Sequence, residues 1–200
     1  MTSLDASSPE VRPRQWLSER QSTTVVALLD AALEEVRDVG FEKLTVRSVA
    51  LRAGVTHTTA YSYFTSKAHL ISELHWRQMQ SIPSPEISPT ESFVGRVCAA
   101  FEGPAAALAA EPKLSHAVFM SILSDEPDVK RVRSAVAAEL VSRLRVALGP
   151  FDNTAMVDTL FMAYSGAMMM VGTGTRDFLE VIPRMKTAAR LIDPTQLSDV

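Results

Sequence analysis

The 200-residue chain has one cysteine, Cys98, so neither an intrachain disulfide nor a cysteine metal cluster can organise it. No run approaches the ~18 apolar residues that a membrane-spanning helix needs. The opening stretch, MTSLDASSPEVRPRQW, lacks the basic start and apolar block of a secretory leader, so a cytoplasmic protein is expected. Histidine is scarce and badly spaced for metal: His69 and His75 lie six apart, and His116 stands alone. No catalytic set is present. Ser165, within AYSGA, has no strand-turn-helix around it. The carboxylate pairs Glu34-Glu35 and Asp125-Glu126 are adjacent, so they diverge on a helix or mark its start. The GTGT at 172–175 follows a helix rather than a strand, which argues against a phosphate loop. Neither an enzyme nor a cofactor- or metal-dependent protein is expected.

What remains is a core-forming chain, 46% apolar and 22% charged. Its apolar residues recur at helical spacing and nowhere alternate long enough for a strand, so the fold class is all-α. Val25, Leu28, Leu29, Ala32, Leu33, Val36 and Val39 give one buried face, ended by Gly40. Thr45, Thr56 and Ser66 are each placed to cap a further helix, and Gly54 separates the first two of these. The stretch SIPSPEISPT, with prolines at 83, 85 and 89, reads as a linker. Beyond it, Phe93, Val97 and Phe101 line a helix that Gly103-Pro104 is expected to interrupt. Leu114–Leu123, a stripe from Val129 to Leu144, a nearly all-apolar segment 154–171 and a closing helix over about 177–192 follow. Segment 154–171 is expected to be buried on several sides. The expected organisation is a flexible arm (1–20), an N-terminal three-helix helix-turn-helix domain (21–80), a linker (81–90) and a C-terminal helical bundle (91–200).

Residues 45–64, TVRSVALRAGVTHTTAYSYF, have the dimensions of a helix-turn-helix. Ala50 is small where two helices must cross, and Gly54 suits a turn needing positive φ. Thr56, His57, Thr58 and Ser62 face outward on the last helix, with Thr59, Tyr61 and Tyr63 at its shoulders. Short side chains there let a helix sit deep in a major groove. Hydroxyls and phenols can donate to phosphate oxygens without adding charge, and Lys67 can add an ionic contact. Charge distribution agrees: five cations and one anion lie between Lys43 and Arg77, a local +4 in a chain whose net charge is −3.

These residues resemble the TetR-type transcriptional regulators. The elements are Thr45-Val46-Arg47-Ser48-Val49-Ala50, the turn Ala53-Gly54-Val55-Thr56, and Thr59, Tyr61, Tyr63, Phe64, Lys67 and Leu70, within a match over about 22–75. The resemblance implies a homodimer that binds double-stranded DNA at a palindromic operator, built through the last two helices and released by a small hydrophobic effector. It points to Thr45, Val46, Arg47, Thr56, His57, Thr58, Thr59, Tyr61, Ser62, Tyr63 and Lys67 as the DNA-binding set. Phe101, Phe119, Met120, Leu123, Met162 and Met169 are the effector-pocket candidates, although methionines at helical spacing serve equally as core. With no arginine on the recognition helix, an operator contacted mostly at A·T pairs is expected. Two other readings stay open: a helical small-molecule-binding protein that does not touch DNA, and a dimeric DNA binder without an effector.

Overall fold

The computed structural model describes residues 19–195, so the expected arm, with Arg12 and Arg14, lies outside the described residues except for its last two positions. The described residues form nine α-helices and two short 3-10 turns, with no strand. They are α1 (Glu19–Lys43), α2 (Val46–Arg52), α3 (His57–Tyr63), α4 (Lys67–Ser81), α5 (Phe93–Ala109), α6 (Pro112–Ile122), α7 (Pro127–Leu148), α8 (Thr154–Gly172) and α9 (Val181–Leu191).

Local chemistry sets the first four. Leu28, Leu29, Ala32 and Val36 of α1 are buried, and Gly40, at φ 76° and ψ 174°, breaks the helical path before the last turn. Thr45 caps α2 in a reciprocal box: its Oγ1 accepts from the Ser48 amide at 2.9 Å while Ser48 Oγ accepts from the Thr45 amide at 3.2 Å. Gly54, at φ 69°, turns the chain into Thr56, whose Oγ1 accepts from the Thr59 amide at 3.1 Å and starts α3. Ser66 does the same for α4 through the His69 amide at 3.0 Å. Leu44, Val46, Val49, Ala50, Ala60 and Phe64 then close a small core against α1 and α4.

Helix α5 departs from expectation. It runs unbroken through Gly103-Pro104. Proline costs one backbone hydrogen bond in a helix interior, but Phe93, Val97, Phe101, Ala105 and Leu108 are buried on either side of it, against α7 and α9. Burial of that stripe outweighs one lost bond. Gly103 brings the helix close to Ile82: a Cβ there would stand 2.8 Å from the isoleucine Cγ2.

The proline-rich stretch before α5 has no regular structure, yet buried arginines hold it. Arg143 of α7 donates to the Pro83 carbonyl at 2.8 Å, to the Ile82 and Met79 carbonyls, and to Glu139 at 2.8 Å. Arg96 donates to the carbonyls of Glu91 and Ala147, each at 3.1 Å, and of Ser88 and Pro89. Arg143 thus secures the end of α4. At the other end Ser66 Oγ donates to Glu126, just before α7, at 2.6 Å, and Arg131 pairs with Glu73 at 2.5 Å. Helices α4 and α7 therefore run parallel, fastened at both ends.

Helix α8 also differs from the reading above. Only Val157, Leu160, Tyr164 and Met168 are buried, while Met162 is 65% exposed and Met169 45%. Its mean hydropathy of 1.3 makes it long and apolar enough, by composition, to cross a membrane, contrary to the count of apolar runs. Polar residues such as Asp158 and Thr159 interrupt the run without lowering its average enough.

Two buried polar atoms lack a partner among the described residues: His75 Nδ1 on α4 and Ser121 Oγ on α6. Burial pushes the His75 pKa down to about 4. Satisfied and orphaned groups respond oppositely to deletion. Arg143→Met strips donors from three carbonyls and should destabilise the fold by roughly 2–4 kcal/mol in urea melts. His75→Phe should leave stability at pH 7 unchanged or raise it. An unfolded histidine takes up a proton below about pH 6.5 whereas folded His75 does not until about pH 4. Wild-type stability should thus fall with acidification across that window by roughly 1.4 kcal/mol per pH unit more than that of His75→Phe.

Candidate functional site

Two regions are candidate functional sites, and α4 follows the first in the chain and lines the second. The first is the face of α2 and α3. The turn holds α3 against α2 through Val55 N–H to Ala50 C=O at 3.0 Å, and Ala60, fully buried, seats α3 on the core. Of the eleven residues expected at a DNA surface, most are exposed here, but many are already engaged. Thr45 is occupied with its capping box. Thr56 and Thr59 share a hydroxyl contact of 2.9 Å, and Ser62 Oγ donates to the Thr59 carbonyl at 2.7 Å. Val46 is buried, because its side chain belongs to the apolar face of α2, so it presents nothing to a partner.

Lys67 is engaged within the protomer. Its Nζ donates to the carbonyls of Phe41 at 2.9 Å and Glu42 at 3.4 Å, and lies 4.3 Å from the centre of the Phe41 ring. There it terminates α1 with a positive charge, where the helix dipole favours one. Most of the local cationic excess is likewise committed. Arg52 pairs with Glu35 at 2.9 Å and Asp38 at 2.6 Å, and Arg77 with Asp30 at 2.7 Å. Like Lys67, Lys43 and Arg47 make no ion pair among the described residues, and unlike it they are not tied to backbone carbonyls. With His57, Thr58 and the phenols of Tyr61 and Tyr63, Arg47 makes up the open hydrogen-bonding set. Tyr61 is half-exposed and Tyr63 leans on the core.

The second region is a partly open cavity of about 340 Å³ lined by α4, α5, α6, α7 and α8. Of the six residues expected to line a pocket, Phe119, Leu123 and Met169 do so. Phe101 does not: it is fully buried behind Tyr164, their rings stacked 4.2 Å apart. Met120 and Met162 point to the surface, 51% and 65% exposed, because the helical register puts them on the outer faces of α6 and α8. Sequence reading missed His75 and Met79 of α4, Pro104 of α5, Arg133 of α7 and Tyr164 of α8. The available signal was a histidine and a proline on otherwise apolar helix faces. Gly172 allows the end of α8 to lie on the Phe119 ring: a Cβ there would come within 2.6 Å of ring atoms.

Comparison with known proteins places these two regions in one class. The model of the family described as bacterial regulatory proteins, tetR family, matches residues 28–74, the segment from mid-α1 to α4. An HTH-type transcriptional regulator of Mycobacterium bovis is 33% identical over 177 residues, covering 88% of this chain and 83% of its own. A counterpart from Mycobacterium tuberculosis matches to the same extent. Among solved structures, a TetR transcriptional regulator from Rhodococcus sp. RHA1 superposes with a TM-score of 0.73 at 24% identity, covering 87% of this chain and 96% of the other. A helix-turn-helix with an open hydrogen-bonding face, followed by a hollow helical bundle and matched by relatives along most of its length, places the chain in the TetR family of DNA-binding transcriptional regulators.

Proposed function

We propose that the protein is a homodimeric repressor that occupies a palindromic operator and leaves it when an apolar effector enters the cavity. It acts in the cytoplasm and is not a catalyst. The observation that carries this reading is the position of α4. Two residues separate its N-cap, Ser66, from the end of the recognition helix α3, and its later turns supply His75 and Met79 to the cavity wall. A molecule that binds one placement of α4 better than another must alter the placement of α3, and operator affinity changes by linkage. The cavity favours this over a purely dimerising bundle. Helix α6, another cavity wall, also reaches the helix-turn-helix side: Lys113 Nζ donates to the Arg37 carbonyl at 2.6 Å, and His116 meets Glu42 at 2.8 Å.

On the DNA, Arg47, Tyr61 and Tyr63 grip phosphates, and His57 and Thr58 reach base edges. Thr45, Thr56, Thr59 and Ser62 keep α2 and α3 in shape and make contacts only by redirecting hydroxyls. Lys67 acts as a brace for α1 rather than as a phosphate ligand. The absence of arginine and lysine from α3 favours A·T contacts. Two copies associate through α8 and α9. Ala155, Thr159, Met162, Gly166 and Met170 recur on α8 at spacings of three and four and are all exposed, so a second copy can bury them.

DNA from upstream of the protein's own gene should bind in fluorescence anisotropy, with log affinity falling linearly in log salt. Arg47→Gln should lower the steepness of that line by about one. Indifference to this DNA, and to random duplexes at low salt, would sink the repressor reading. A Cβ at Gly166 would meet no atom within 4 Å, so Gly166→Glu should leave the protomer folded. Sedimentation at micromolar concentration should show a dimer for the wild type and a monomer for this variant; an intact dimer would place the interface elsewhere.

A further inference from the structure

The cavity wall is apolar except for a few groups, and the deep ones are unpaired. His75 is 7% exposed, its Nδ1 has no hydrogen-bond partner, and it sits on the cavity-facing side of α4. Tyr164, 3% exposed and held flat against Phe101, also faces the cavity, and its phenol makes no hydrogen bond to another described residue. A buried histidine left without a partner costs stability, and a protein keeps such a group where something else completes it.

Charge narrows the class of that partner. No carboxylate lines the cavity, and its one charged residue, Arg133, is a cation, so an ammonium-bearing molecule would meet repulsion with nothing to neutralise it. Arg133 itself is spent at the edge: its Nη1 donates to the Ile122 carbonyl at 2.6 Å and to the Ser124 carbonyl at 3.5 Å, closing the end of α6. The groups deeper in are neutral, since burial keeps His75 uncharged at pH 7 and the Tyr164 phenol protonated. Around them lie Leu140, Phe119, Phe161 and Met168, which reward hydrocarbon.

We propose that the cavity takes an uncharged, largely apolar molecule carrying a hydroxyl or carbonyl oxygen that hydrogen-bonds His75, with Tyr164 as a second partner. His75 then selects for that oxygen, because a molecule lacking it leaves the histidine buried and unpaired. This rests on the effector reading above for its biological meaning, though not for its chemistry.

A matched ten-carbon series tests it on the full chain by calorimetry at neutral pH: decan-1-ol, decan-2-one, decanoate and decylammonium. The alcohol and the ketone should bind, decanoate at least about tenfold more weakly, and decylammonium not at all. His75→Phe should weaken decan-1-ol about tenfold, the worth of one hydrogen bond, and His75→Gln, which keeps a donor and an acceptor, should recover most of that loss. Urea melts of His75→Phe, His75→Gln and Arg133→Gln check that each variant folds. Tightest binding of decanoate, sensitive to Arg133→Gln and not to His75→Phe, would overturn the assignment in favour of an anion. Failure of all four to bind, or binding indifferent to His75, would overturn it as well. DNA affinity measured alongside separates the two readings. An alcohol that binds through His75 without releasing DNA upholds this assignment and removes the effector role, whereas release that ignores His75 does the reverse.

Discussion

Helices α4 and α7 are parallel rods joined at both ends, by Ser66 to Glu126 at one and by Arg143 to the Met79 and Ile82 carbonyls at the other. A fifteen-residue helix spans about 22 Å. The first turn of α4 adjoins the helix-turn-helix and its later turns line the cavity, and a helix transmits displacement along its axis without absorbing it. The fastenings are unlike in kind. Arg143 is buried and bound to several carbonyls, so its end is stiff. Ser66 and Glu126 form one hydrogen bond near the surface, and Arg131 with Glu73 adds a half-exposed ion pair of the sort worth little in water. Motion of α4 is therefore cheapest at the end nearest the recognition helix.

The DNA-facing surface is economical in charge. Arginine and lysine in this segment mostly serve the fold, with Arg52 tying α2 to α1 through several carboxylates and Lys67 terminating α1. The exposed groups left for a partner are mostly hydroxyls, phenols and an imidazole, which position a duplex by geometry more than by ion pairing. A surface that held DNA by charge alone would tolerate small displacements. A surface sparing in charge fits the geometric switching proposed above.

The legible part of the molecule was the part governed by neighbours in sequence. Thr45, Thr56 and Ser66 cap helices because a cap acts within three residues, and Gly54 turns because positive φ is a property of a single residue. The family resemblance also lies within this stretch, where function follows local geometry. Legibility fails where distant segments decide. Pro104 does not break α5, since burial supplied by α7 and α9 is invisible along the chain. Met120 and Met162 looked like pocket residues but face outward, because composition does not reveal which side of a helix meets which neighbour. The cavity is built by five helices, and the spacing of its buried histidine, His75, argues against metal without revealing the cavity it faces. Local positive charge was countable in the sequence, whereas its neutralisation by Glu34, Glu35 and Asp38 required the fold.

The contact between Gly172 and the Phe119 ring bears on how such a regulator could diversify. The aromatic wall rests on a backbone stripped of its side chain, so the hollow behind it owes its shape to one missing methyl group. Any larger residue at that position must push the ring aside and redraw the chamber, while the sequence of the helix-turn-helix stays as it is. On the effector reading proposed above, a single codon then alters chemical taste without rewriting the helix that reads bases.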